Sequence, residues 1–205
     1  LLVVPGRLSL HIAASGTGGS IGVAPGQEAT LAGSPGILAL DAAAGLSGQA
    51  LVHAAALSLP GEDAAVLLCA PSGAGKTSAA LALALSGFGL LTDDSAMLSP
   101  GPGRPRVWGL PRAVKLHRAT LALLPALAAV ARDRWNAEDE QAVPRGRLAT
   151  LLPLPSPRPM PLVAILSVGP RRGRPGHVVE RLPRAELLLR LAADNLGRGP
   201  AGLPA

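Results

Sequence analysis

Lys76 and Thr77 close the run Ala70-Pro71-Ser72-Gly73-Ala74-Gly75-Lys76-Thr77, and an acidic pair, Asp93-Asp94, begins 17 positions after the lysine. Gly73 and Gly75 let the backbone approach an anion closely. Successive N–H groups of such a loop, with the positive end of a following helix, form a cradle for phosphate. In the loop pattern G-x-x-x-x-G-K-[ST] the lysine reaches the β- and γ-phosphates and the hydroxyl ligates Mg²⁺. Ala70 stands where that pattern has its first Gly, and Ser78 continues into the helix. The candidate nucleotide-binding residues are therefore Ala70, Pro71, Ser72, Gly73, Ala74, Gly75, Lys76, Thr77 and Ser78, with Thr77 a candidate metal ligand. The chain has 17 Arg but only two Lys, Lys76 and Lys115. Lysine is retained at the loop, where a compact, mobile ammonium fits and a planar fork does not.

The flanking elements must aim these groups. The apolar run Ala64 to Cys69 reads as a strand entering the loop, Thr77 to Leu85 as the helix leaving it, and Phe88 to Leu91 as a second strand ending at the acidic pair. Gly87 suits the end of that helix. Neighbouring residues of a strand face opposite sides, so a turn must begin at Asp93-Asp94 if both carboxylates are to reach phosphate. Residues 1–60 read as β-rich: Leu8 to Ile12 alternates, Gly16 to Gly26 is a Gly-rich loop, and Ile37 to Leu40 and Ala50 to Leu59 are strands. Downstream, Ser95 to Leu98 and Val107 to Pro111 are short strands around a Pro/Gly-rich loop. Thr120 to Ala131 is a helix interrupted at Pro125, and Arg132 to Gln141 is charged and exposed. Leu148 to Pro161 is loop-like. Leu162 to Val168 is the best strand of the second half, forming a hairpin through the basic turn Arg171-Arg172-Gly173-Arg174 with His177 to Glu180. Arg184 to Asn195 is an amphipathic helix.

Length and composition set bounds. At 205 residues the chain fits one domain with a real core. One Phe, two Trp and no Tyr leave no aromatic stacking platform, so nucleic acid is not an expected partner. No apolar run approaches the ~20 residues that span a bilayer, so no membrane partner is expected. The N-terminal LLVVPGR does not read as a secretory leader, and the cytoplasm is the expected location. The single Cys69 excludes an intrachain disulfide or a cysteine zinc site and reads as core packing. The net charge of +6 is uneven: residues 1–100 carry −4 and residues 101–205 carry +10. Most of these arginines read as solvated surface. Arg112 and Lys115 could neutralise phosphate or touch an acceptor, and either alone reads first as surface charge. Glu138-Asp139-Glu140 reads as a solvated face before an accessory carboxylate, and His11, His117 and His177 lack ligand spacing and read as structural or surface residues.

The run Val66 to Asp94 resembles the catalytic domain of the HPr kinase/phosphorylase family and its shorter HPr-kinase-related serine kinases. Those proteins read strand, phosphate loop, helix and strand into a double Asp at this lysine-to-aspartate spacing. Ser86-Gly87-Phe88-Gly89-Leu90-Leu91-Thr92-Asp93-Asp94 is similar to the family's second half, Val52-His53-Ala54-Ala55 to its strand before the loop, and Gly109-Leu110-Pro111 to a "GLP" element. The close resemblance covers roughly 49–117. It implies an α/β, P-loop-containing fold like the HPr kinase C-terminal domain and PEP carboxykinase, with a mixed, β-rich sheet and flanking helices. The chain would be one catalytic domain over 1–205: a β-rich part to 48, a nucleotide-binding core over 49–117, and C-terminal helices and a hairpin over 118–205.

The resemblance further implies an ATP- and Mg²⁺-dependent kinase that transfers the γ-phosphate to a serine-type hydroxyl of a peptide or protein, of the kind that tailors peptides. Lys76 stabilises the transferring phosphoryl, Asp93 is the catalytic base, Thr77 and Asp94 hold the metal, and His53 lies near the phosphates. The residues alone leave the order of the two aspartates open, and self-association into a homo-oligomer is left open too. Three departures matter. Ser78 stands where HPr kinases carry Glu, the longer Gly-rich signature downstream is replaced by Val107 to Pro111, and 48 residues are too few for their separate N-terminal domain. HPr itself is then not the expected acceptor. Two other readings stand beside this one: a non-catalytic nucleotide-binding regulatory module, and a small-molecule P-loop kinase.

Overall fold

The computed structural model describes residues 2–6, 8–13, 19–28, 34–169 and 179–196. It is a mixed α/β chain whose residues group into two compact units, one within 1–51 and the other within 52–199.

In the first unit, strands β1 (Leu2–Val4), β2 (Leu8–Ile12) and β3 (Gly19–Val23) form an antiparallel meander in that order. Helix α1 (Ser34–Leu46) contributes Ala39 to a small core with Leu8 and Leu10. Two expectations are corrected here. Ile37 to Leu40 is helical, because Ser34-Pro35 opens a helix and the following alanine-rich run favours continuing it. Gly19–Val23, expected within a loop, is a strand. Its glycines are accommodated by pairing with β2, where a Cβ on Gly22 would lie 2.7 Å from the Ser9 hydroxyl.

A mixed seven-stranded sheet is ordered β4-β8-β9-β12-β6-β5-β7, and apart from the first two residues of β4 its strands belong to the second unit. Its strands are β4 (Ala50–His53), β5 (Ala55–Ser58), β6 (Ala65–Cys69), β7 (Gly89–Thr92), β8 (Ser95–Ser99), β9 (Arg106–Gly109) and β12 (Met160–Ser167). The expected strand over 50–59 is thus two strands, broken at Ala54. A separate antiparallel pair joins β10 (Val114–His117) to β11 (Glu140–Val143). Side-chain alternation divides the sheet into two faces. Leu57, Val66 and Leu68 pack on one face with Ala80, Leu81 and Ala84 of α2 (Lys76–Leu85). Ala56, Ala65, Leu67 and Cys69 pack on the other, where Leu191 of α5 (Arg184–Leu196) closes over them. Because β6 is covered on both faces, it is an unbroken apolar run.

Helix α3 (Arg118–Leu123) and a 3₁₀ turn (Pro125–Ala129) flank the expected interruption at Pro125. The short α4 (Arg145–Leu148) lies in the stretch after β11. The basic turn at 171–174 and His177 lie outside the described residues. Val179 and Glu180, the described end of the expected hairpin partner, are not in a strand. No helix among the described residues is long and apolar enough to cross a membrane.

Chain connectivity forces this sheet to roll. β8 and β7 stand five places apart in the strand order, about 24 Å if the sheet were flat. Only Asp93 and Asp94 lie between the end of β7 and the start of β8, and that stretch reaches at most about 11 Å. The ends of the sheet therefore close on one another. Gly109 of β9 accordingly lies against Leu91 and Thr92 of β7.

Candidate phosphate-binding cleft

Strand direction gathers the candidate residues at one sheet edge. β6 delivers the loop at its C-terminal end. β5 runs antiparallel to β6 and so starts at that edge, which brings His53, two residues before β5, alongside. β7 runs antiparallel to β5 and therefore ends there, delivering Asp93 and Asp94. Carboxyl ends of strands are where open α/β sheets bind ligands.

In the loop, Gly73 (φ 78°) and Gly75 (φ 93°) take left-handed conformations, and a Cβ at either would project into open space. Gly75 caps α2 without any side-chain hydrogen bond, so the cap position leaves the first N–H groups of the helix to other partners. The cleft in front of it, about 440 Å³, is lined by Pro71, Ser72, Gly73, Gly75, Lys76, Thr77 and Ser78 from the loop and helix. His53, Asp93 and Asp94 line it from the strand ends, and Lys115, His117, Ala119, Thr120 and Glu140 line the far bank. Ala70 is buried beneath the loop, and Ala74, whose N–H donates to the Pro71 carbonyl, does not line the cleft.

Lys76 is 7% exposed. Its Nζ lies 2.6 Å from His53 Nε2 and 3.6 Å from Asp94 Oδ1, and His53 Nε2 lies 2.6 Å from the same carboxylate oxygen. One ring nitrogen cannot accept from the ammonium and donate to the carboxylate at once. His53 Nδ1 is buried with no hydrogen-bond partner among the described residues. The backbone N–H of His53 donates to Asn195 Oδ1 at 2.7 Å, which anchors the residue to α5. Lysine, histidine and aspartate are thus crowded onto one another in front of an uncapped helix end. That arrangement has a contact to give up when an anion draws the ammonium and a cation draws the carboxylate. Thr77 and Asp94 supply hard oxygen donors of the kind Mg²⁺ takes in small number beside phosphate oxygens.

The expected turn at the acidic pair is present. The Thr92 hydroxyl accepts from the N–H of Ser95 at 3.3 Å and of Asp94 at 3.5 Å, which bends the chain so that both aspartates line the cleft. Their surroundings differ. Asp94 is 40% exposed, while Asp93 is 4% exposed and accepts the Lys115 N–H on Oδ2 at 3.3 Å. Burial, and after it the Asp94 charge, push the Asp93 carboxyl up to about 6, against the pull of the Lys115 N–H, its own N–H and Lys76. Behind β7, the Arg145 guanidinium donates to the carbonyls of Leu91 (3.0 Å) and Leu90 (3.2 Å). Burial lowers the Arg145 pKa, and the Asp93 charge opposes that shift.

Of the far bank, Lys115 is a candidate from the sequence, and it lines the cleft while Arg112 does not. Val114 and Leu116 are buried, so Lys115 and His117 alternate onto the other side of β10. The pairing of β10 with β11 sets His117 opposite Glu140, with Nε2 and Oε1 2.8 Å apart. Glu140 is 16% exposed and belongs to a strand rather than a solvated face. His117, expected as structural or surface, lines the cleft. Thr120 Oγ1 lies 2.9 Å from Ser78 Oγ and ties α3 to the helix that follows the loop. These contacts join segments more than 20 residues apart, and no local pattern marks them. Among the described residues no cluster of three or more His, Cys, Asp or Glu could hold a metal by itself.

No protein-family model matches this chain, and no curated protein matches it either.

Proposed function

We propose that this chain is an ATP- and Mg²⁺-dependent phosphotransferase with an HPr-kinase-like fold, acting on a serine-type hydroxyl of a peptide or protein. One observation carries the reading. The ends of β6 and β7 bring a phosphate loop with its lysine and hydroxyl into the same cleft as two aspartates of unequal burial. A loop alone accounts for anion binding. The loop together with a buried, high-pKa carboxylate beside an exposed one accounts for transfer.

The residues divide the work as follows. Backbone N–H groups of the loop between Ser72 and Thr77, that of Ala74 excepted because it donates to the Pro71 carbonyl, and the N-terminus of α2 bind phosphate oxygens, and Lys76 neutralises the charge that develops on the transferring group. Thr77 and Asp94 would hold Mg²⁺, which when bound supplies charge neutralisation to the phosphates. His53 sits between Lys76 and Asp94 and keeps both turned into the cleft. Asp93 takes the proton of the attacking hydroxyl. A base titrating near 6 is mostly ionised at neutral pH yet holds a proton better than an ordinary aspartate. A second depression adjoins the cleft across His117 and Ala119, and it supports room for an acceptor chain. The choice of a peptide or protein serine rests on the resemblance over 49–117. The same resemblance supports the cytoplasm as the location.

Calorimetric titration of Mg·ATP into the wild type and Lys76→Ala tests the reading. Binding that the substitution weakens by about tenfold or more is the expected result. A folded wild type that does not bind Mg·ATP would refute it.

A further inference from the structure

We infer that Lys115 is a second phosphate-reading lysine, which meets the terminal phosphate of a bound nucleoside triphosphate from the bank opposite the loop; this rests on the phosphotransferase reading. Both lysines of the chain line the cleft, and none of its described arginines does. Arginine fills 17 of the 19 basic positions, so both exceptions falling on one cleft is a bias in residue type toward that place.

The strand geometry aims Lys115 there. Val114 and Leu116 are buried in the core, which turns Lys115 to the cleft side, and its register partner Ala142 is small and leaves the ammonium room. Its backbone N–H is bound to Asp93 Oδ2. The root of the side chain is thereby fixed beside the carboxylate next to which the reacting phosphate must lie.

Charge balance supplies the reason. The N-terminus of α2 and Lys76 would meet the phosphates, the terminal one included, from the loop side. On its other side the terminal phosphate would face Asp93 and Asp94, which line the same cleft, so that two carboxylates oppose a third anion. Arg145, on which the Asp93 charge acts, is committed to the Leu90 and Leu91 carbonyls, and Arg112 donates to Ser95 Oγ at 3.5 Å; neither lines the cleft. Lys115 is the cation that offsets this repulsion. As a point charge on a flexible stem it can follow a phosphoryl group as it moves, which a rigid guanidinium fork cannot.

The test reads the lysines directly. The intact protein is acylated with an amine-reactive reagent alone, with Mg²⁺ and the non-hydrolysable imido analogue of ATP, or with Mg·ADP, and Lys115 modification is followed by peptide mass spectrometry. The triphosphate analogue should slow Lys115 acylation several-fold, while Mg·ADP should leave it within about twofold. In calorimetry, Lys115→Met should weaken the analogue by about tenfold and Mg·ADP by less than about twofold. Equal protection by both nucleotides, or none, in a protein whose Mg·ATP binding depends on Lys76 would overturn this inference and leave the phosphate-loop reading standing. A wild type that binds no Mg·ATP would overturn both. The labelling needs no variant to fold.

Discussion

Asp93 is a carboxylate held out of water with a backbone N–H as its hydrogen-bond donor, and that placement has a thermodynamic sign. In the unfolded chain it loses its proton near 3.8, whereas in the folded protein it does so near 6. Between those values the folded state binds more protons. The favourable contribution is therefore complete below about pH 4 and is lost as pH rises to about 6. Above that window burial of the charge costs about 3 kcal/mol. Asp93→Asn removes the charge but keeps an oxygen to accept the Lys115 N–H. It should leave stability near wild type at pH 4 and raise it by about 1–3 kcal/mol at pH 7.5, while phosphoryl transfer falls by orders of magnitude. Urea unfolding of both proteins at the two pH values reads the first effect. A pH-independent difference would refute the burial argument, and unimpaired transfer would refute the assignment of Asp93 as base.

At the scale of elements, Gly109 shows how tightly the site is framed. A Cβ there would run into the backbone of Leu91 and the side chain of Thr92, the two residues before the acidic pair. Gly109→Ala should cost about 1–3 kcal/mol and displace the turn. Gly146, in α4 with open space around it, provides the control: Ala there should be neutral or slightly stabilising. Equal effects in thermal melts would contradict the close approach.

Legibility follows the same division into local and distant contacts. The strand, loop, helix and strand over 65–92 were readable because each is set by neighbouring residues, with apolar runs punctuated by glycine. The acidic pair was readable from spacing, and the need for a turn there from strand geometry. Helix α1 was misread because its alanines carry little periodicity and four apolar residues can belong to either element. Lys115 was a candidate by its charge alone, but its position and those of His117, Thr120, Glu140 and Arg145 come from the pairing of β10 with β11 and from the packing of α3 and α4, which no local pattern specifies.

For the unit within 52–199 taken whole, closure of the rolled sheet depends on a bridge of two residues, and those two are the proposed base and metal ligand. An inserted Gly-Ser-Gly after Gly103, an exposed turn at φ 75°, lengthens a loop that spans nothing and should cost less than about 1 kcal/mol. The same insertion between Asp93 and Asp94 should cost more than about 2 kcal/mol, read by denaturant unfolding. Similar costs at the two places would mean that the bridge is slack. If it is taut, this chain has no way to shed its acidic pair by deletion and stay folded. A descendant without the proposed chemistry would have to arise by exchanging side chains at 93 and 94, with the chain length between β7 and β8 kept.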